Sequence, residues 1–302
     1  MPATSIGWRV DWPTDFASAL RPGTPLSTRT SLGIGGVAEW FFEPTDPALA
    51  GRIFATCLAR GVPVRVLGGG YNLLVADGTI EGVVLSTAKL RHERVLEDRV
   101  EVGAGNSFAS LVSRAADLWI PKLSGCPGIP GSVGGVVSMN AGGRFGSAGD
   151  ALLEVEGYDE RGAFFRRAVA PGDLGYRHTA FQGGLVTGVS FRRQPGLDRD
   201  AERRRFAEAS VWKRATQPLT AASAGCFFKN PGVPPSAGAR IDQAGLKGAR
   251  VGGAMVSPVH ANFLVNEGNA TSADMLALVD LVRARVRETQ QVDLELEVAV
   301  WR

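Results

Sequence analysis

Ser124-Gly125-Cys126-Pro127-Gly128-Ile129-Pro130-Gly131-Ser132-Val133-Gly134-Gly135-Val136-Val137-Ser138-Met139-Asn140-Ala141-Gly142-Gly143-Arg144-Phe145-Gly146 is the most informative segment of the chain. Eight of its twenty-three residues are glycine and two are proline. It carries almost no charge, yet it is too apolar for a flexible linker. Glycine admits positive φ and close approach of a ligand to the backbone. Successive N–H groups in such loops form concave anion sites. The stretch therefore reads as a rigid backbone cradle for a large phosphate-bearing ligand, or else as a set of tight turns between strands.

A second cluster lies upstream. Val66-Leu67-Gly68-Gly69-Gly70-Tyr71-Asn72-Leu73-Leu74-Val75 puts three glycines at the end of a short apolar strand. Neither cluster carries the usual nucleotide fingerprints. No Gly-x-x-x-x-Gly-Lys-Ser/Thr loop occurs. Gly33-Ile34-Gly35-Gly36 is not followed by a convincing helix, so the Rossmann dinucleotide motif is missing too.

The bulk properties are those of a folded protein of about two or three domains. The chain has 302 residues, 44% hydrophobic and 21% charged, with a net charge of +3. The 39 glycines are an excess gathered in the clusters above. The arginines near 202–205 and 283–287 read as solvated helix faces, with no aromatic-basic interleaving to suggest nucleic acid. Cys57, Cys126 and Cys226, and His92, His178 and His260, are too scattered for a metal site or a disulfide framework. Asp11, Pro13 and Asp15 stand where a signal peptide would be apolar, and no stretch approaches a membrane span. A reducing cytoplasm, with no membrane or protein partner, is the expectation.

Periodicity divides the chain into three α+β units. Strands are expected at 37–44, 64–68, 81–86 and 99–104, and a helix over Asp46–Arg60. The first unit spans 1–85 and the second 86–196, with a helix at 107–119 and a strand at 185–191. The third spans 197–294, with helices from Asp200 to Arg214 and after Thr271. The tail 295–302 alternates as a strand and returns to the first unit.

Three segments can carry chemistry. Arg177 in Gly-Tyr-Arg-His-Thr offers a planar fork for a carboxylate or phosphate, or is a surface residue. Cys226 in Gly-Cys-Phe-Phe-Lys-Asn-Pro is either an exposed thiol able to give up a proton near neutral pH or a small buried hydrophobe. Glu295 and Glu297 share one face of a strand and line a site or face water.

In this order the segments resemble the UDP-N-acetylenolpyruvoylglucosamine reductase family. These are the flavoenzymes that complete UDP-N-acetylmuramate in peptidoglycan synthesis. The resemblance runs from Thr30-Ser31-Leu32-Gly33-Ile34-Gly35-Gly36 through both glycine clusters, Tyr176-Arg177 and the Cys226 segment. It continues through Val256-Ser257-Pro258-Val259-His260-Ala261-Asn262-Phe263 to Leu294-Glu295-Leu296-Glu297-Val298. It implies a two-domain FAD-binding fold of the vanillyl-alcohol-oxidase type plus a C-terminal α+β substrate domain. The short link from Arg177 to the next strand, without a tyrosine-bearing insertion, matches the family's shorter form.

By this resemblance Gly68, Gly69, Gly70, Tyr71, Asn72 and Leu73 bind non-covalent FAD, with Gly128, Ile129, Pro130, Gly131, Ser132, Gly134, Gly135, Asn140, Ala141 and Gly142. NADPH is the reductant. Tyr176, Lys213, Lys229 and Asn230 bind the nucleotide sugar. Arg177 and Glu297 stabilise an enolate, and Cys226 delivers the proton. No metal is implied. The family has serine where Cys226 stands, and commonly serine where Tyr71 stands. Another FAD oxidoreductase of this fold, or a non-catalytic flavin or nucleotide binder, are the competing readings. The Cys226 segment weighs against the first, and Arg177 together with Glu297 against the second.

Overall fold

Val37–Phe42 and Val64–Leu67 flank Thr79–Ser86 in parallel, and Arg21–Pro25 adds an antiparallel edge. The computed structural model describes Trp12, Phe16 and residues 19–302. Asp11, Pro13 and Asp15 lie outside the described residues. The final five residues of Thr79–Ser86 are all buried, as expected for a central strand covered on both faces. The expected helix at 46–60 spans Pro47–Ala59. Asp46 caps it, accepting from Ala48 N at 2.9 Å, and Pro47 supplies a preset φ at its start. Ile53, Phe54 and Cys57 bury its inner face.

Gly33-Ile34-Gly35-Gly36 leads into a strand, not a helix. A Cβ on Gly36 would lie 1.8 Å from the Gly78 carbonyl oxygen, so two backbones cross there with no room for a side chain.

The second sheet is antiparallel throughout, in the order Phe164–Ala168, Leu152–Tyr158, Leu185–Arg192, Arg99–Gly103, Glu93–Val95. Two short helices, Phe108–Ser113 and Val133–Ser138, pack on it through Phe108, Leu111, Val133 and Val137. The first of these is shorter than the 107–119 expected from periodicity. Trp119 adopts φ +58 and its carbonyl accepts from Gln194 N at 2.9 Å. A tertiary contact thus turns the chain where local propensity would extend the helix.

The third sheet runs Ala222–Cys226, Phe263–Asn266, Ala254–Val256, Arg250–Val251. Ser272–Gln290 covers it with Met275, Leu278, Val279, Val282 and Val286 buried. Its core also takes in Leu32, Ile34 and Leu74 from the first part of the chain. The tail is irregular at first, bridges Phe228 through Leu296, and then pairs Ala299–Trp301 in parallel with Leu73–Val75. This return brings the acidic tail beside the first glycine loop. No helix among the described residues is long and apolar enough to cross a membrane.

The Ser272–Gln290 helix starts with a full capping box. Asp274 N donates to Thr271 Oγ1, and Thr271 N donates to Asp274 Oδ2, both at 3.0 Å. Thr271→Ala is expected to cost about 1 kcal/mol, read as a lower denaturant midpoint at unchanged slope.

Candidate active site

The two glycine loops meet face to face. A Cβ on Gly68 would lie 2.7 Å from Ser132 Oγ, and one on Gly69 would lie 2.8 Å from Gly131 Cα. A Cβ on Gly134 would meet that of Ala104 at 2.7 Å. Glycine is required here because backbone packs on backbone. Among the described residues, the N–H groups of Gly68, Gly69, Gly70, Tyr71, Asn72, Gly131 and Ser132 donate to no protein acceptor. Such a concentration of unspent donors suits an anionic ligand.

Both loops open on one cavity of about 1320 Å³. That exceeds the roughly 300–1,000 Å³ of a site for one small ligand. Its wall includes every residue from Gly68 to Leu73, and Gly128 to Ser132, Gly134, Gly135, Ala141 and Gly142. Asn140 is not on the wall. Its amide holds the chain instead, donating to Gly175 O and accepting from Gly149 N, each at 3.0 Å. Asn72 lines the cavity, yet its side chain donates to Glu297 O at 3.1 Å.

The same wall carries Arg177, Cys226 and Glu297. Arg177 Nε donates to Glu297 Oε1 at 2.5 Å, and Nη2 donates to the Gly142 carbonyl at 3.0 Å. Burial pushes the Glu297 carboxyl up, and the Arg177 guanidinium opposes that rise. Removing Arg177 would leave the Glu297 carboxyl to the upward push of burial, which favours its neutral form.

Cys226 ends the strand Ala222–Cys226 beyond an irregularity at Gly225, where φ is +78. Phe227 and Phe228, next in sequence, are fully buried anchors. Asn262 grips Phe228 twice, accepting from its N–H at 3.0 Å and donating to its carbonyl at 2.8 Å. From the other side Glu297 N donates to Phe227 O at 2.8 Å. The thiol is thereby fixed between the acidic tail and the third sheet. Burial pushes it up to about 12, Glu297 adds to the rise, and Arg177 and Lys213 oppose it. Cys226 thus lies between its two readings, an exposed thiol and a small buried hydrophobe: the residue is half-buried on the cavity wall, in surroundings that favour the protonated thiol.

Lys213 and Lys229 also line the cavity. Lys213 Nζ donates to Pro127 O at 3.1 Å, and burial pushes its ammonium down to about 8. Lys229 lies at the rim, 3.5 Å from Glu295. Tyr176 and Asn230 lie outside the wall and meet each other, Asn230 N donating to Tyr176 Oη at 3.2 Å. The wall further contains Ser31, Thr87, Gln182, Gln217, Thr220 and Ser223. Sequence reasoning assigned none of them a role, because isolated polar residues carry no spacing signal. Ser31 Oγ, which donates to Ser223 O at 2.7 Å, ties the first loop to the strand that carries Cys226.

Comparison with known proteins follows the same lines. The profile of the UDP-N-acetylenolpyruvoylglucosamine reductase C-terminal domain matches residues 217–301, and that of an FAD binding domain matches 38–166. The UDP-N-acetylenolpyruvoylglucosamine reductase of Heliobacterium modesticaldum is 39% identical over 95% of this chain and 92% of its own length. That of Desulfosudis oleivorans is 39% identical over 97% of this chain and 98% of its own. The chain belongs to the UDP-N-acetylenolpyruvoylglucosamine reductase family. The crystal structure of the Thermus caldophilus reductase superposes with a TM-score of 0.78 at 39% identity, covering 94% of this chain and all of that one.

The α+β flavin-binding fold expected from the sequence is the reductase fold found here. The apposed loops fit its FAD, since they present unspent N–H groups on a backbone surface free of side chains. Gly69→Ala would force a Cβ against the Gly131 backbone and part the loops. Loss of one bond to a charged group, about 1.5–3 kcal/mol, weakens FAD binding about tenfold or more. Fluorescence titration of apoprotein with FAD measures it, and unchanged affinity would refute the role of loop contact.

Proposed function

We propose that this reductase converts UDP-N-acetylglucosamine enolpyruvate to UDP-N-acetylmuramate with NADPH and FAD, using Arg177, Glu297 and Cys226. The observation that carries this reading is the meeting of these three side chains on the wall that both glycine loops share. We place the reaction in the cytoplasm, where three free thiols stay reduced. The units 1–85, 86–196 and 197–294 serve as two FAD subdomains and a substrate domain, a division supported by the three larger sheets, one in each unit.

Bound FAD, once reduced by NADPH, supplies the hydride. Arg177 holds the substrate carboxylate, and its positive charge lies where negative charge grows as the double bond is reduced. Glu297 keeps the guanidinium fork turned toward the cavity. With the methylene carbon as the one that would take up that hydride, Cys226 Sγ gives its proton to the carbon that bears the carboxylate. A general acid must still hold its proton when the carbanion-like centre develops, and the desolvation of Cys226 with Glu297 beside it favours this. Lys213 and Lys229 face the diphosphate.

Cys226→Ala is expected to lower turnover about 10²- to 10⁴-fold, the usual worth of a positioned acid, while Cys226→Ser stays active. Near-parental turnover of the alanine variant would remove Cys226 from this role. A protein purified without any flavin would undo the whole reading.

Lys213 generates a pH dependence of known direction. Its ammonium is pushed down to about 8, so it loses charge as pH rises through that value. UDP affinity of the parent should fall between about pH 7 and about pH 9, and Lys213→Met should be weaker at the low end without that fall. Calorimetric titration at several pH values checks it.

A further inference from the structure

We propose that Gln182 is a positioning residue for Arg177, its side-chain amide bracing the turn that aims the guanidinium into the cavity. The inference rests on the reading of Arg177 as the carboxylate clamp. Arg177 occupies the tip of a tight hairpin in which Gly175 pairs with His178, leaving Tyr176 and Arg177 as the loop. Its backbone has φ +54, the left-handed region that a side-chain-bearing residue avoids. Such a conformation persists only where the surroundings over-determine it.

Gln182 supplies that constraint from five residues away. Its Nε2 donates to the Arg177 carbonyl at 3.2 Å, and its Oε1 meets His178 Nδ1 at 3.3 Å. Both ends of the amide are therefore spent across one turn. The carbonyl of Arg177 accepts only, so the amide nitrogen must face it. His178 must then carry its proton on Nδ1. The amide keeps this pattern whether His178 is neutral or charged. Gln182 is itself held, since its N–H donates to Thr179 O at 3.3 Å, and Thr179 Oγ1 donates to Ser138 O at 3.0 Å. The brace thus runs from Arg177 to the end of the helix Val133–Ser138, next to the second glycine loop. Gln182 is exposed and on the cavity wall, so its contribution is directional bonding rather than core packing.

The test separates the two half-reactions in holoenzyme under anaerobic stopped flow. Gln182→Met keeps the length and removes both bonds, and His178→Ala removes one. Flavin reduction by NADPH should stay within about twofold of the parent in both variants. Reoxidation by the enolpyruvyl substrate should slow about tenfold in Gln182→Met and less in His178→Ala, since a misaimed clamp is felt where charge develops. At equilibrium, UDP should bind each variant as it binds the parent, while UDP-N-acetylmuramate, with its carboxylate, should bind Gln182→Met several-fold more weakly, by about 1 kcal/mol or less. Equal slowing of both half-reactions, or of neither, overturns the brace. If Gln182→Met does not fold, the same split in His178→Ala decides. A parent protein that NADPH reduces but the substrate does not reoxidise overturns the reductase reading instead.

Discussion

The ion pair between Arg177 and Glu297 joins groups 120 residues apart, and the site takes its shape from it. The carboxylate is the partner that burial works against. Burial raises the carboxyl, and the guanidinium at 2.5 Å, with a smaller contribution from Lys229, opposes that rise. The pair needs the tail to return. Lys229 N donates to Glu295 O and Glu297 N donates to Phe227 O, so the tail is pinned before Ala299–Trp301 joins Leu73–Val75. Asn72 closes the circuit by donating to Glu297 O. A residue of the first glycine loop thereby helps to set the position of the Glu297 carboxylate.

The glycine loops obey a related constraint. Backbone lies on backbone at Gly68, Gly69 and Gly134, and a side chain at any of these would force the loops apart. The same closeness leaves a run of N–H groups with no protein acceptor among the described residues. A surface of that kind is costly to keep unless an anion completes it. Structure and ligand therefore share one requirement here, which is why the glycine excess is local.

Burial also bears on the chemistry open to Cys226. In water a thiol ionises readily enough to be a nucleophile. Beside Glu297 and within the cavity wall it keeps its proton, despite Arg177 and Lys213. A neutral thiol held in place by Phe227, Phe228 and Asn262 is suited to giving up a proton on demand rather than to attacking an electrophile.

The amino-acid sequence marked the α+β class, the strands Val37–Phe42, Val64–Leu67, Thr79–Ser86, Arg99–Gly103 and Leu185–Arg192, and the helices Pro47–Ala59, Arg199–Thr216 and Ser272–Gln290. These follow from periodicity and capping, which are local. It also marked the glycine loops, because a glycine excess at one place has few other physical causes. The end of the helix at Ser113 was not legible, since Trp119 is turned by a contact with Gln194. Nor were the outward placement of Tyr176 and Asn230, the structural use of Asn140, or the brace from Gln182. Whether Cys226 holds or loses its proton was decided only by tertiary structure. Burial, facing charges and side-chain hydrogen bonds depend on which distant segments meet, and no spacing along the chain records that.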